Sequence, residues 1–309
     1  WSSTPYPPGP PSLTSADAVE GQSVSDLYDG GIVIFKNGAH LESLKFKPSV
    51  NAPENAIEVD FYQTTDQVRR LEFRNLEIPV AGSSGGFVNG IKFDGDLSQL
   101  VAIGQEGTDY TDEIYFNDVR IDGNNGGGIS GDGILFTETV GDVSDVSFNK
   151  LYVGDTETGI HFNNQGSLEN ITLKNSERIA PSVSDLPFAL ENNVNGVKIE
   201  GSNVTGVVNF KVEYVRIEDN TENGFYVKGD NHDGEATSAD SISSIGFNIK
   251  NSLIKGNNGY GILVGTDGGA FSPAKIDQVI LGNDLKVFDN AKGGAMFKVK
   301  KVVGSQANP

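Results

Sequence analysis

The 309-residue chain contains no cysteine, one methionine, one tryptophan and three histidines. Without cysteine, neither disulfides nor thiol chemistry contributes. The one tryptophan is Trp1, so no tryptophan platform for stacking sugar rings can lie further along the chain. Cations are scarce: 23 Lys and Arg stand against 42 Asp and Glu, a formal charge of −19. That balance argues against nucleic acid or an anionic membrane surface as a partner. No apolar run approaches the ~20 residues of a membrane-spanning helix. Apolar residues at i, i+3, i+4 and i+7 are also missing, apart from a weak stretch around Ser15 to Leu27. No signal peptide is evident, and a chain starting at Trp reads as a processed mature protein.

What the chain has in quantity is one short strand, repeated. Eight segments open on a small residue and continue apolar–any–apolar. They are Ala56-Ile57-Glu58-Val59, Gly90-Ile91-Lys92-Phe93, Gly133-Ile134-Leu135-Phe136 and Gly159-Ile160-His161-Phe162, then Gly196-Val197-Lys198-Ile199, Gly224-Phe225-Tyr226-Val227, Gly261-Ile262-Leu263-Val264 and Gly294-Ala295-Met296-Phe297. Their starts are separated by 34, 43, 26, 37, 28, 37 and 33 residues, as expected of stacked coils whose loops vary in length.

A second unit precedes most copies, clearest in Leu71-Glu72-Phe73-Arg74-Asn75-Leu76-Glu77-Ile78 and repeated at Ile114 to Ile121 and Val146 to Val153. Alternation turns one side of each strand inward and the other to water. Its junction is Asn at 75, 175, 251 and 283 and Asp at 118. These residue types tolerate the left-handed backbone of a sharp corner, and asparagines stacked there would make a polar ladder along the axis. Each coil thus carries about three short strands. Eight coils at ~4.8 Å make a rod on the order of 40 Å long.

The unit Φ-x-Φ-x-Asn-Φ-x-Φ followed by Asn-x-x-Gly-Ile-x-Φ resembles the repeat of right-handed parallel β-helix proteins. That pectate-lyase-like superfamily includes pectate lyases, polygalacturonases, phage tailspikes and surface adhesins. The resemblance implies an all-β solenoid of about eight coils over residues 32–303. Residues 1–31 would form an N-terminal extension and cap, and 304–309 a short tail. Residues 1–12 hold five prolines and favour polyproline II, as a flexible leader or as a segment lying along the rod or on a neighbouring copy. Extracellular or cell- or virion-surface placement is expected from the processed start of the chain, helped by the same resemblance.

Enzymes of that superfamily place chemistry on outward side chains of one strand stack. Here the outward positions run Glu58, Lys92, Leu135, His161, Lys198, Tyr226, Leu263 and Met296. The candidate catalytic cluster is His161, Lys198 and Tyr226 on consecutive coils, with Glu200 and Lys228 beside them. A Lys or His base with a Tyr acid suits β-elimination on a uronic-acid polymer. The same residues also read as a solvated ladder of alternating charge. Signatures of the enzymes are missing: there is no paired-aspartate segment and no Gly-His-Gly, and Arg178-Ile179-Ala180-Pro181 is only a fragment of the pectate lyase pattern.

One loop is rich in oxygen ligands, with Asp230, Asp233, Glu235 and Asp240. It is a candidate Ca²⁺ site and equally a solvated acidic loop; otherwise no cofactor is implied. The ends differ in charge. Residues 1–35 carry four acids and no Lys or Arg, while 285–309 carry five lysines and one aspartate. Opposite ends suit head-to-tail contact between copies, with Trp1, Tyr6, Lys298, Lys300 and Lys301 as candidate assembly residues. Terminal lysines equally serve to block edge pairing. Two functions follow: a structural or adhesive subunit assembling into a filament, or a polysaccharide lyase, hydrolase or glycan-binding tailspike-like module.

Overall fold

The computed structural model describes residues 12–13, 32–34, 40–46, 54–60, 71–80, 87–95, 114–123, 131–175, 188–200, 204–228, 245–265 and 276–297. Among them there is no helix: the secondary structure is all strand, every pairing is parallel, and the strands fall into two sheets. The smaller sheet has nine strands, and eight of them contain the eight repeated segments in chain order. Its register is regular: Ile57, Ile91, Ile134, Ile160, Val197, Phe225, Ile262 and Ala295 form one row.

The larger sheet has 15 strands, and the chain alternates between the two sheets along its length. Its early members are long: Leu71–Val80, Ile114–Gly123 and Val146–Gly154. Each bends at a residue with left-handed φ, namely Asn75, Asp118 and Lys150. Beyond Gly154 the same span is divided into pairs such as Thr172–Lys174 with Ala189–Glu191, and Ile245–Lys250 with Leu253–Lys255. The expected three short strands are therefore present in the later repeats, two in one sheet and one in the other, while in the earlier ones the first two are a single bent strand.

The sheets face each other across one apolar core. Phe73, on the larger sheet, meets Phe93 of the smaller edge to face, with centroids 6.1 Å apart. The glycine that opens the repeated strand has a steric cause. A Cβ on Gly90, Gly159 or Gly224 would come within 2.5–2.7 Å of the carbonyl oxygen of Gly133, Gly196 or Gly261 on the next strand. Stacked glycines let adjacent strands approach at these positions, where a Cβ does not fit; the first copy has a buried Ala56 in the same row.

The asparagine ladder forms, but not where the junction residues place it. At that junction the left-handed residues are Ser43, Asn75, Asp118, Lys150, Tyr214, Asn251 and Asp284, so Lys and Tyr take the corner in two repeats. Neither Asn175 nor Asn283 has positive φ. The continuous ladder lies at a different corner, where a left-handed Asp155, Asn192, Asp219, Gly256 or Asp289 is followed by Thr156, Asn193, Asn220, Asn257 or Asn290. The amide side chains of Asn220 and Asn257 donate to the side-chain oxygens of Asn257 and Asn290, at 2.8 and 2.7 Å. The backbone N–H groups of Thr156, Asn193, Asn220 and Asn257 donate to the side-chain oxygen one repeat on. Thus one side-chain oxygen per repeat takes the N–H that lies beside the turn's own backbone bonds between repeats, such as Asp219 N–H to the Lys255 carbonyl.

Candidate functional site

The register brings the five predicted catalytic residues together. His161 pairs with Lys198, Lys198 with Tyr226, and Glu200 with Lys228, on three adjacent strands of the smaller sheet. The alternation holds across this stretch: Ile160 and Phe162, Val197 and Ile199, Phe225 and Val227 are fully buried, while His161, Lys198 and Tyr226 are half-buried. Leu263 departs from it; at an outward position it is nonetheless 2% exposed.

Glu200 is the hub. Its Oε1 accepts from the Lys198 ammonium at 2.5 Å, and its Oε2 lies 3.2 Å from Lys228 Nζ. His161 Nε2 is 3.5 Å from Oε1, an ion-pair distance without hydrogen-bond geometry. Burial alone would raise the Glu200 carboxyl, but His161 and the two lysines outweigh it and hold it down at about 2.

The residue that sequence reasoning missed is Asp132. Its Oδ2 lies 2.8 Å from His161 Nδ1, and the residue is 8% exposed. Burial disfavours the imidazolium, yet Asp132 and Glu200 outweigh burial and the opposing charge of Lys198, so His161 titrates above its ordinary value. A signal for Asp132 exists in the repeat. The position just before the repeated glycine is Asn55, Asn89, Asn195 or Asn223 in four other copies, and Asp132 is the one acid in that row. Elsewhere the row is a second amide ladder: Asn89 donates to Asn55 at 2.9 Å and Asn223 to Asn195 at 3.2 Å. The Asp132 backbone N–H keeps its rung on Asn89, at 2.8 Å, while its side chain turns to His161.

Outward positions of the larger sheet carry a second cluster, reachable from the alternation of Val119-Arg120-Ile121 and Leu151-Tyr152-Val153. The Arg120 guanidinium lies 4.0 Å above the Tyr152 ring centroid and 2.5 Å from Asp122. Burial first, then Glu191 and Asp122, push the Tyr152 hydroxyl up to about 12. Asp155 is raised by burial and by the charges of Asp122 and Glu191.

Among the described residues no group of three His, Cys, Asp or Glu side chains is set to hold a metal ion. The predicted calcium ligands Asp230, Asp233, Glu235 and Asp240 lie outside the described residues, as do the predicted assembly residues Trp1, Tyr6, Lys298, Lys300 and Lys301. No helix among the described residues is long and apolar enough to cross a membrane. Comparison of the chain with protein-family models, curated proteins and solved structures returned no match.

Proposed function

We propose that the two facing sheets wind into a right-handed parallel β-helix, and that the chain is a structural or adhesive subunit acting outside the cell or on a cell or virion surface. One observation carries the non-enzymatic half of this reading: the candidate cluster is closed on itself. Both His161 nitrogens are covered, Nδ1 by Asp132 and Nε2 by burial against Glu200. The Lys198 ammonium is engaged by Glu200. A base needs a free lone pair within reach of a substrate proton, and neither group offers one in this arrangement. The handedness follows from the rule for parallel crossovers.

Assembly between copies draws support from the last described repeat. Leu281 continues the inward row of Val212 and Ile249, which are fully buried, yet it is 44% exposed. Val279, Leu285, Val287 and Phe297 of the same repeat are only partly covered. With the acid-rich first 35 residues and the lysine-rich last 25, this suits a head-to-tail contact with a second copy. Size-exclusion chromatography with light scattering, and electron microscopy, test the reading on the intact protein, on a version lacking residues 1–12 and on Leu281→Lys. Concentration-dependent oligomers weakened by Leu281→Lys are expected; a strict monomer in every form at high concentration sinks the assembly claim.

A second reading, a uronate lyase, glycoside hydrolase or glycan-binding module, is favoured by the alignment of His161, Lys198 and Tyr226 on adjacent strands. Its assay is ultraviolet absorbance of unsaturated uronates over a panel of acidic polysaccharides. Activity lost in Lys198→Ala and Tyr226→Phe would replace the structural reading with this one.

A further inference from the structure

His161 bridges three adjacent strands. Asp132, just ahead of Ile134–Phe136, takes one imidazole nitrogen at 2.8 Å, and Glu200, at the end of Asn195–Glu200, faces the other at 3.5 Å. Both carboxylates are buried, at 8% and 9% exposed, so neither is screened as a surface ion pair would be. Nδ1 hydrogen-bonds one buried carboxylate and Nε2 lies within ion-pair distance of the second, an arrangement that favours the charged ring over the neutral one. When the ring is neutral, one nitrogen becomes an acceptor facing a carboxylate, and a buried acid loses its counter-charge.

We propose that Asp132, His161 and Glu200 form a proton-operated tie across three consecutive repeats, closed when the imidazole is charged and loosened when it gives its proton to solvent. Among the described residues, the charged groups facing the ring are few. From the preceding repeat comes Asp132, with neutral Leu135 on the paired rung; from the following one come Lys198 and Glu200; and Lys228, a repeat further on, acts through Glu200 beside Tyr226. Lys198 opposes the imidazolium but is itself held by Glu200 at 2.5 Å.

The signs follow from linkage. His161 titrates higher folded than unfolded, so its contribution is complete below the ordinary histidine value of about 6.5 and fades as pH rises through the folded midpoint. Glu200 is held down at about 2, so its contribution is complete above the ordinary carboxylate range and fades as acid protonates it. The tie is therefore tightest in mildly acidic solution, with a loosening limb on each side.

The amide row supplies a variant that should fold: Asp132→Asn restores the residue found at 55, 89, 195 and 223. The test titrates the His161 ring by NMR in the full chain, assigning its signal with His161→Gln, and follows thermal melting between pH 5.5 and 8.5. A His161 midpoint above about 6.5 is expected, falling by at least half a pH unit in Asp132→Asn. The melting temperature of the parent should drop by a few degrees across that pH range, and the drop should vanish in His161→Gln but persist in His40→Gln. A His161 midpoint at or below the ordinary value, or parallel melting profiles for the parent and His161→Gln, would overturn the tie.

Discussion

Between Leu71 and Phe162 the core contains two columns of stacked phenylalanine. Phe73, Phe116 and Phe148 stand on the larger sheet with centroids 4.9 and 4.7 Å apart, and Phe93, Phe136 and Phe162 on the smaller at 4.5 and 5.0 Å. From Asn193 to Asn290 the aromatic contacts run between the sheets instead, Phe210 edge to face with Phe225 and Phe225 tilted at 43° to Phe247, and the contact repeated along the stack is the buried asparagine ladder. To the strand hydrogen bonds that join every repeat, the first region adds area and dispersion, which are not directional. The second, with an apolar core of its own, adds a ladder of side-chain hydrogen bonds, each of which fixes a distance and an angle. Both devices meet the same need, because each repeat must present its neighbour with a surface that continues the stack. They should differ in what they tolerate.

The largest effect is expected in the aromatic region. Phe116 is fully buried between Phe73 and Phe148, so Phe116→Ala opens a cavity between two rings and should cost about 4 kcal/mol. Phe116→Leu keeps most of the volume and should cost less than about 2 kcal/mol. In the ladder the contrast between deletion and isosteric change should disappear. Asn220 accepts from the Asn193 N–H, and its amide donates to the Leu190 carbonyl and to Asn257. Asn220→Ala orphans these buried groups and should cost about 3 kcal/mol; Asn220→Leu, closer in volume, should cost no less. Urea denaturation of the four variants decides it. Equal tolerance of leucine at 116 and 220 would mean that the ladder, like the phenylalanine columns, acts mainly by filling space.

How far the sequence shows these devices depends on which residues the fold leaves no alternative. The repeated glycine is legible because a neighbouring carbonyl excludes any Cβ at Gly90, Gly159 and Gly224. The inward Ile and Phe positions are legible because alternation of burial is local. The corner asparagines mislead for the opposite reason: Lys150 and Tyr214 accept a left-handed φ near +49° and +58° that local preference assigns to Asn, since the stack on both sides over-determines the bend. The ladder corner was open to reading from the pairs Asn192-Asn193, Asp219-Asn220, Gly256-Asn257 and Asp289-Asn290, a left-handed residue and then the rung. For the candidate site, the aligned face of His161, Lys198 and Tyr226 follows from register alone. Asp132 does not, because its role depends on a side chain leaving its own row for the next repeat.

A smaller effect concerns the junction that both regions share. Lys150 holds φ near +49° in the aromatic region, at the place where Asn75 and Asn251 stand in other repeats. An L-residue with a long side chain in that conformation costs roughly 1–2 kcal/mol, a penalty that asparagine largely escapes. Lys150→Asn should therefore stabilise the protein, less whatever the lysine side chain contributes where it lies, for a net gain of about 0.5 kcal/mol. The matching change in the other direction, Asn251→Lys, should lose more than Lys150→Asn gains, since Asn251 also donates to Glu213 at 3.2 Å. Melting temperatures of the two variants, measured at one pH and salt concentration, give both signs directly. If Lys150→Asn is neutral or destabilising, the corner in the aromatic region is set by its flanking columns and the left-handed residue there carries no strain to relieve. The two regions would then differ in how they turn as well as in how they stack.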